Sequence, residues 1–274
     1  MAKSPSTDAT LVRSARRTLD ILSWFSLEHP QGRISEIAKD LDLAPSTVRR
    51  LVTALAECGY LQLDEATSRY SLHIEVVRLA AVAVSTNDVV RSAEPMLDRL
   101  LKELDETIVL NVLSGTLVVH LASRQSVHRF SIYPPQGRRY QAYEGGASGI
   151  VLLAWLDSDE LDAILPDVSS WPSYGHNQIL KRTEFLDALK MARVNGWAVN
   201  DGRTDPDLWS VAAPIRDHTG RVVAALSAAC RRSFMTDERR ESLPRTVLQA
   251  ASEISLGLRF HGQSQPLVDL SLNS

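Results

Sequence analysis

"ISEIAKDLDLAPSTVRRLVTALAECGYL", residues 34–61, decides the fold of the first part of the chain. Two short runs with apolar residues at helical spacing, "ISEIAKDLDL" and "APSTVRRLVTALAECG", follow one another directly and predict two helices. Pro45 suits the first turn of the second helix, where its missing N–H costs nothing. Gly59 suits the position just past its end. At about 100° per residue, Val48, Leu51, Val52 and Leu55 share one face of this helix. Ser46, Arg50 and Thr53 fall on the opposite face, and Thr47 and Arg49 lie on its flanks. The exposed first turn thus offers hydroxyls, free backbone N–H groups and two arginines. Arginine binds guanine O6 and N7 in a bidentate way, and short hydroxyls reach base edges or phosphates. The same pattern also suits a solvated amphipathic helix with two surface arginines.

Working outward, Leu19, Ile21, Leu22, Phe25 and Leu27 predict a helix between Val12 and His29, ended by "HPQG". After Gly59, "YLQLDEATSRYSLH" reads as a β-hairpin turning at "DEATS". Three helices followed by a hairpin is the order of a winged helix-turn-helix. Arg69 on the hairpin is expected in a minor groove or on a phosphate. Arg16 and Arg17, early in the first helix, are expected to hold the DNA backbone. Residues 1–75 carry nine Lys/Arg against ten Asp/Glu, so the overall charge gives no support to DNA binding. Its distribution does: between Asp42 and Glu57 stand two arginines and no acid.

The chain has 274 residues, a net charge of −3 and 44% hydrophobic residues, which fits two globular domains. No apolar run is long enough for a membrane span, and the N-terminus lacks an apolar signal core, so a cytoplasmic protein is expected. Cys58 and Cys230 have no ligand-like spacing, and the seven histidines include no i, i+4 pair. Neither a metal site nor a cofactor is expected. No G-x-S-x-G elbow and no HExxH motif is present, so no enzyme is expected.

Two apolar helices are predicted over 74–86 and 88–105. Beyond Thr107, "TIVLNVLSGTLVVHLASRQ" predicts two strands joined at Ser114-Gly115. "HRFSIY" predicts another strand, stopped by Pro134-Pro135. Helices follow at 147–156, 158–165 and 182–195; then "GWAVND", "LWSVAAPIRD" and "GRVVAALSAACR" read as strands. Asp237 to Phe260 predicts a closing helix with Thr236 as N-cap and a kink or restart at Pro244. In "YEGGASGIVLLAW", residues 143–155, three glycines precede an apolar run. Such a cluster is either an anion cradle of backbone N–H groups or a tight loop. It follows no βαβ unit and has no Lys-Ser/Thr pair, so it is not a P-loop.

These segments together resemble the IclR family of bacterial transcriptional regulators. The resemblance rests on "SARRTLDIL", residues 34–61 and "SRYSLH" in the first half. In the second half it rests on "GIVLLAW", "NGWAVND" and "SVAAPIRDHTGRVVAALS". It implies an α+β chain: a winged helix-turn-helix over 11–73, linker and dimerisation helices over 74–105, and a GAF-like effector domain with an antiparallel sheet flanked by helices over 106–260. Loose tails are expected at 1–10 and 261–274. The implied partners are double-stranded operator DNA, a second or further copies of the chain as dimer or tetramer, and a small organic acid.

In the resemblance, the effector meets the backbone of Ala147 and Ser148 ahead of Gly149, and the polar side chains of Asn200, Ser210 and Ser227. Departures stand at Glu144, Ile150, Gly202-Arg203, Ser210 and Ala229, where the family often has His, Lys, an acidic pair, Cys and Ser. Tyr143, Trp197 and Trp209 lie near these segments. Stacking on a ring would make the effector aromatic and anionic; the other reading is that they are core. A sensor that has lost specific DNA binding, and a pocket that has lost its ligand, are the alternatives.

Overall fold

The computed structural model describes residues 7–126, 137–144, 146–165 and 181–262. The "HRFSIY" strand, the Pro134-Pro135 stop and most of the expected C-terminal tail lie outside the described residues. The chain divides into two compact units, the first ending at Thr86 and the second starting at Asn87.

The first unit holds α1 (Thr7–Trp24), β1 (Gln31–Gly32), α2 (Ile34–Asp40), α3 (Pro45–Glu57), β2 (Leu61–Asp64), β3 (Arg69–Leu72) and α4 (Ile74–Ser85). α1 starts at Thr7, inside the stretch expected to be a loose tail, and ends at Trp24, five residues before the expected His29. Its buried side is Ile21, and Phe25 just beyond it is buried too; Leu19 and Leu27 face solvent. Ile21 and Phe25 meet Ile37, Ala38, Val48, Leu51, Val52, Leu55 and Leu61 in one core. The turn between α2 and α3 passes through Asp42 at φ 50°, a left-handed conformation that Asp tolerates better than most residues. α3 closes at Gly59 with φ 78°, and Tyr60 N–H donates to the Leu55 carbonyl at 2.9 Å, a Schellman-type end. The hairpin turn is tied by Asp64, which accepts from Ala66 N–H at 2.9 Å and from the Thr67 hydroxyl at 2.8 Å. The sheet has a third strand that the sequence did not announce: two-residue β1 pairs antiparallel with β3.

The second unit holds α5 (Asp88–Leu104), β4 (Thr107–Ser114), β5 (Leu117–Arg124), β6 (Arg139–Gln141), α6 (Ala147–Leu153), α7 (Ser158–Ile164), α8 (Arg182–Asn195), β7 (Ala198–Asp201), β8 (Leu208–Arg216), β9 (Val222–Arg231) and α9 (Asp237–Gly257). Six strands form one antiparallel sheet in the order β6-β5-β4-β9-β8-β7. α5 and α9 lie against each other and against the sheet. Every residue of α6 is buried, and α6 forms a core with α8, Ala198, Ala212 and Ala225. The two helices expected as one linker therefore fall in different units, α4 in the first and α5 in the second. Thr236 caps α9 as expected, accepting from Arg239 N–H at 3.3 Å. The restart allowed at Pro244 does not occur: α9 runs through it. Proline there removes one helical hydrogen bond, and the burial of Leu243, Pro244, Val247 and Ala251 offsets the loss.

Candidate functional site

Two surfaces carry the predicted site residues, one in each unit. In the first, α3 buries Val48, Leu51, Val52 and Leu55. Its other side exposes Ser46, Arg49, Arg50 and Thr53, with Thr47 half-buried. Ala44 gives α3 no side-chain cap, and Thr47 N–H is the first to bond back, to the Ala44 carbonyl at 2.9 Å. The start of the helix thus presents an uncapped Ser46 N–H beside its hydroxyl. Arg49 and Arg50 enter no ion pair among the described residues, whereas Arg69 and Arg78 in the same unit are paired. Arg17 is half-buried on α1. Arg69 is engaged inside the unit: its Nη1 and Nη2 donate to the two carboxylate oxygens of Glu36 at 3.2 and 3.0 Å.

In the second unit a cavity of about 300 Å³ opens beside the start of α6. Its walls come from β4, β5, β6, α6, β7, β8 and β9. Ala147, Ser148, Asn200, Ser210 and Ser227 all line it, as do Asn111, His120, Arg138, Tyr140, Glu144 and Thr204. Strand alternation brings the first set together: Asn200 pairs with Ser210, and Ser227 with Ala212 and Val109, on the face that carries α6. Between Leu110 and Asn111 the β4–β5 register shifts, so that His120 stands opposite Asn111. Asn111 is the hub. Its amide nitrogen donates to the hydroxyls of Ser148 and Ser227, both at 3.0 Å, and Ser227 donates to the Val109 carbonyl at 3.3 Å. Ser148 is also hydrogen-bonded to the phenol of Tyr140, whose pKa burial raises. Asn200 spans the mouth loop: it donates to Thr204 Oγ1 at 2.7 Å and accepts from Arg203 N–H at 2.9 Å. Burial raises the Glu144 carboxyl above its usual range, against the Gln141 N–H that it accepts at 3.2 Å and the nearby charge of Arg138.

Three of the expected contacts stand elsewhere. Trp209 is 1% exposed and sits one residue from Ser210 on a strand, so it faces the other side of the sheet, opposite Cys230. Its Nε1 has no hydrogen-bond partner among the described residues. Tyr143 packs onto the α6–α8 core and does not line the cavity. Gly149 is absent from the lining for a different reason. A Cβ there would stand 2.3 Å from the Ala142 carbonyl oxygen, so only glycine lets α6 press against that turn. The ring at the cavity wall is Tyr140, edge-on to His120 with centroids 5.8 Å apart. Asn111, His120 and Tyr140 were missed by sequence reasoning. Asn111 had a signal: one amide inside the apolar strand "TIVLNVLS" needs a buried partner.

An exposed arginine-bearing helix on a winged helix-turn-helix, with a polar cavity in a second unit, defines a DNA-binding regulator with an effector domain. The IclR helix-turn-helix domain model matches residues 14–65, and that of the IclR C-terminal domain of bacterial transcriptional regulators matches residues 81–256. The chain belongs to the IclR family of transcriptional regulators, and it is not an enzyme. The Pca regulon regulatory protein of Pseudomonas putida is 30% identical over 249 residues, covering 89% of this chain and 83% of the relative. The IclR transcriptional regulator of Alicyclobacillus acidocaldarius superposes with a TM-score of 0.81 at 24% identity, over 89% of this chain and 98% of that one. An IclR homologue of Microbacterium hydrocarbonoxydans, solved with 4-hydroxybenzoate, superposes with a TM-score of 0.74 at 22% identity, over 90% and 99%. No described helix is long and apolar enough to cross a membrane.

Proposed function

We propose that the chain binds a palindromic operator in the cytoplasm as a dimer or tetramer, and that a small organic acid bearing a ring tunes this binding from the cavity. The observation that carries the reading is the pairing of functions. Arg49 and Arg50 stand exposed on α3, without ion pairs among the described residues, in the unit that lacks the cavity. Ser46, Thr47 and Thr53 stand beside them as base or phosphate contacts, and Arg17 as a backbone contact. Self-association is supported by α4, which buries none of its residues and exposes Ile74, Val77, Leu79 and Val82. Exposed apolar surface of this kind fits an interaction site. α4 and α5 together act as the linker between the two units.

The lining supports the effector class. The volume, about 300 Å³, lies at the small end of ligand sites. Hydroxyls at Ser148, Ser210 and Ser227, the backbone at Ala147 and the Arg138 guanidinium suit a carboxylate. Tyr140 and His120 offer a ring wall, the role first expected of Tyr143 and Trp209. The homologue bound to 4-hydroxybenzoate supports a single-ring hydroxy acid. The test has two arms. The purified protein is bound to fragmented genomic DNA and the retained fragments are sequenced; a sharp palindrome is expected, and no enrichment would overturn the operator reading. A thermal-shift panel of hydroxybenzoates and short aliphatic acids follows. Stabilisation by the aromatic acids is expected, and stabilisation by aliphatic acids alone would overturn the ring.

A further inference from the structure

We propose that Glu36 and Arg69 form a clamp that sets the angle of the wing against the helix-turn-helix, making both positioning residues for DNA binding rather than DNA contacts. The inference rests on the DNA-binding reading of α3. The wing is a hairpin of two four-residue strands, β2 and β3. A lone hairpin of this size is marginal in water. It is held by Leu61, which is 2% exposed, by Tyr70 of β3, which packs on the core that includes Ile37 and Ala38 of α2, and by the two-residue ladder to β1. Apolar packing is non-directional, and neither it nor the ladder fixes the tilt of β3 relative to α2.

The Glu36–Arg69 bridge does. It joins α2 to the first residue of β3 across 33 positions of sequence, with two parallel N–H···O contacts at 3.2 and 3.0 Å. Nη1 donates a third bond, to the Gln31 carbonyl at 3.3 Å, so one guanidinium touches α2 and β1 from β3. Glu36 is already held before the arginine arrives: its Oε2 accepts from Arg33 N–H at 2.9 Å, closing the start of α2. That N–H bond, then the charge of Arg69, keeps the Glu36 carboxyl below its ordinary range. A planar fork on an immobilised carboxylate gives direction as well as attraction. The pair is partly exposed, with side chains 34% and 41% accessible, so its worth for global stability is small. Its effect belongs to geometry.

The decisive feature is charge. Glu36 is an acid on a helix expected near DNA. If it were a bystander, neutralising it would leave DNA affinity unchanged or raise it. If it holds the wing, neutralising it lowers affinity. Glu36→Gln keeps an acceptor for Arg33 N–H and removes the charge. Arg69→Lys keeps the charge and removes the fork. Binding is measured on the duplex that the wild-type protein selects from a random-sequence library, across a salt series. Amide hydrogen exchange is followed at Gln31, Gly32 and Arg69–Leu72 on the full chain.

Both variants are expected to weaken binding, by about 1.5- to fivefold on the scale of a partly exposed charged pair, and the double variant no more than either alone. Their salt slopes should match wild type, because no phosphate contact is lost. Exchange should quicken in β1 and β3 with melting temperature unchanged. Three results would overturn the clamp. One is Glu36→Gln binding as tightly as wild type or tighter. Another is Arg69→Lys alone losing affinity together with about one unit of salt slope, which would place Arg69 on a phosphate. The third is unchanged exchange at β1 and β3, a readout that stands even if no duplex is selected.

Discussion

The exposed helix α3 and the cavity beside α6 are built on opposite principles. α3 draws its face from thirteen consecutive residues, and the period of an α-helix alone sorts buried from exposed. The cavity draws its walls from seven elements between Val109 and Ala229, and no local period announces it. A surface read from one helix is robust to errors elsewhere. A cavity depends on register, and one step along a strand moves a side chain to the other face. Ser210 and Trp209 show the difference: adjacent in sequence, one lines the cavity and the other lies buried behind the sheet.

This contrast can be broken most strongly at Gly149. Gly149→Val forces a Cβ onto the Ala142 carbonyl. It should cost about 1–3 kcal/mol or more, the range for overfilled cores, read as a lower urea midpoint, with effector binding lost. An unchanged midpoint would mean that α6 is free to move. On the other surface, Arg50→Ala should leave the melting temperature alone and cost about 1–3 kcal/mol on the selected duplex if it reads a guanine. A uniform loss on all sequences would assign it to phosphate.

Asn111→Ala removes the donor to Ser148 and Ser227 and should weaken effector binding by about 1–2 kcal/mol, the cost of stranding a hydrogen-bond partner. Trp209→Phe is its control: calorimetry should show effector affinity within about twofold of wild type, since this ring lies across the sheet. A large loss there would return Trp209 to the site.

Much of the molecule was legible from residues alone. The faces of α3, the hairpin, the N-cap at Thr236 and the strands joined at Ser114-Gly115 all follow from local rules. The α6 start was read from the residues as well, whereas the five residues Ala147, Ser148, Asn200, Ser210 and Ser227 came through the family resemblance, and they do meet at one cavity. What was not legible is non-local. β1 has two residues and no periodicity, and it exists because β3 is beside it. Arg69 looked free on the hairpin until α2 brought Glu36 to it. His120 reaches the cavity wall through a register shift that no count along the chain reveals. Continuity of α9 through Pro244 depends on the core that it covers.

The smallest expected effect is on pH. Burial first, against Gln141 N–H and Arg138, raises Glu144 above its ordinary value. The folded unit then binds more protons than the unfolded chain between the two values, so stability falls as pH rises through that window. An anionic effector meets more repulsion over the same range, with Asp205 adding to it and Arg138 opposing. Glu144→Gln should flatten both slopes in a thermal-shift series; an unchanged slope would assign the effect to another group.

The two surfaces are expected to be coupled through the one chain that carries them. The direct measurement is affinity for the selected duplex with and without a saturating acid that stabilises the protein in the thermal-shift panel, in wild type and in Asn111→Ala. Coupling between sites of this kind is about 1–3 kcal/mol. A change of about five- to 150-fold is expected in the wild type, reached in Asn111→Ala only at higher acid concentration. An acid that binds and depends on Asn111, yet leaves DNA affinity unchanged, would contradict it.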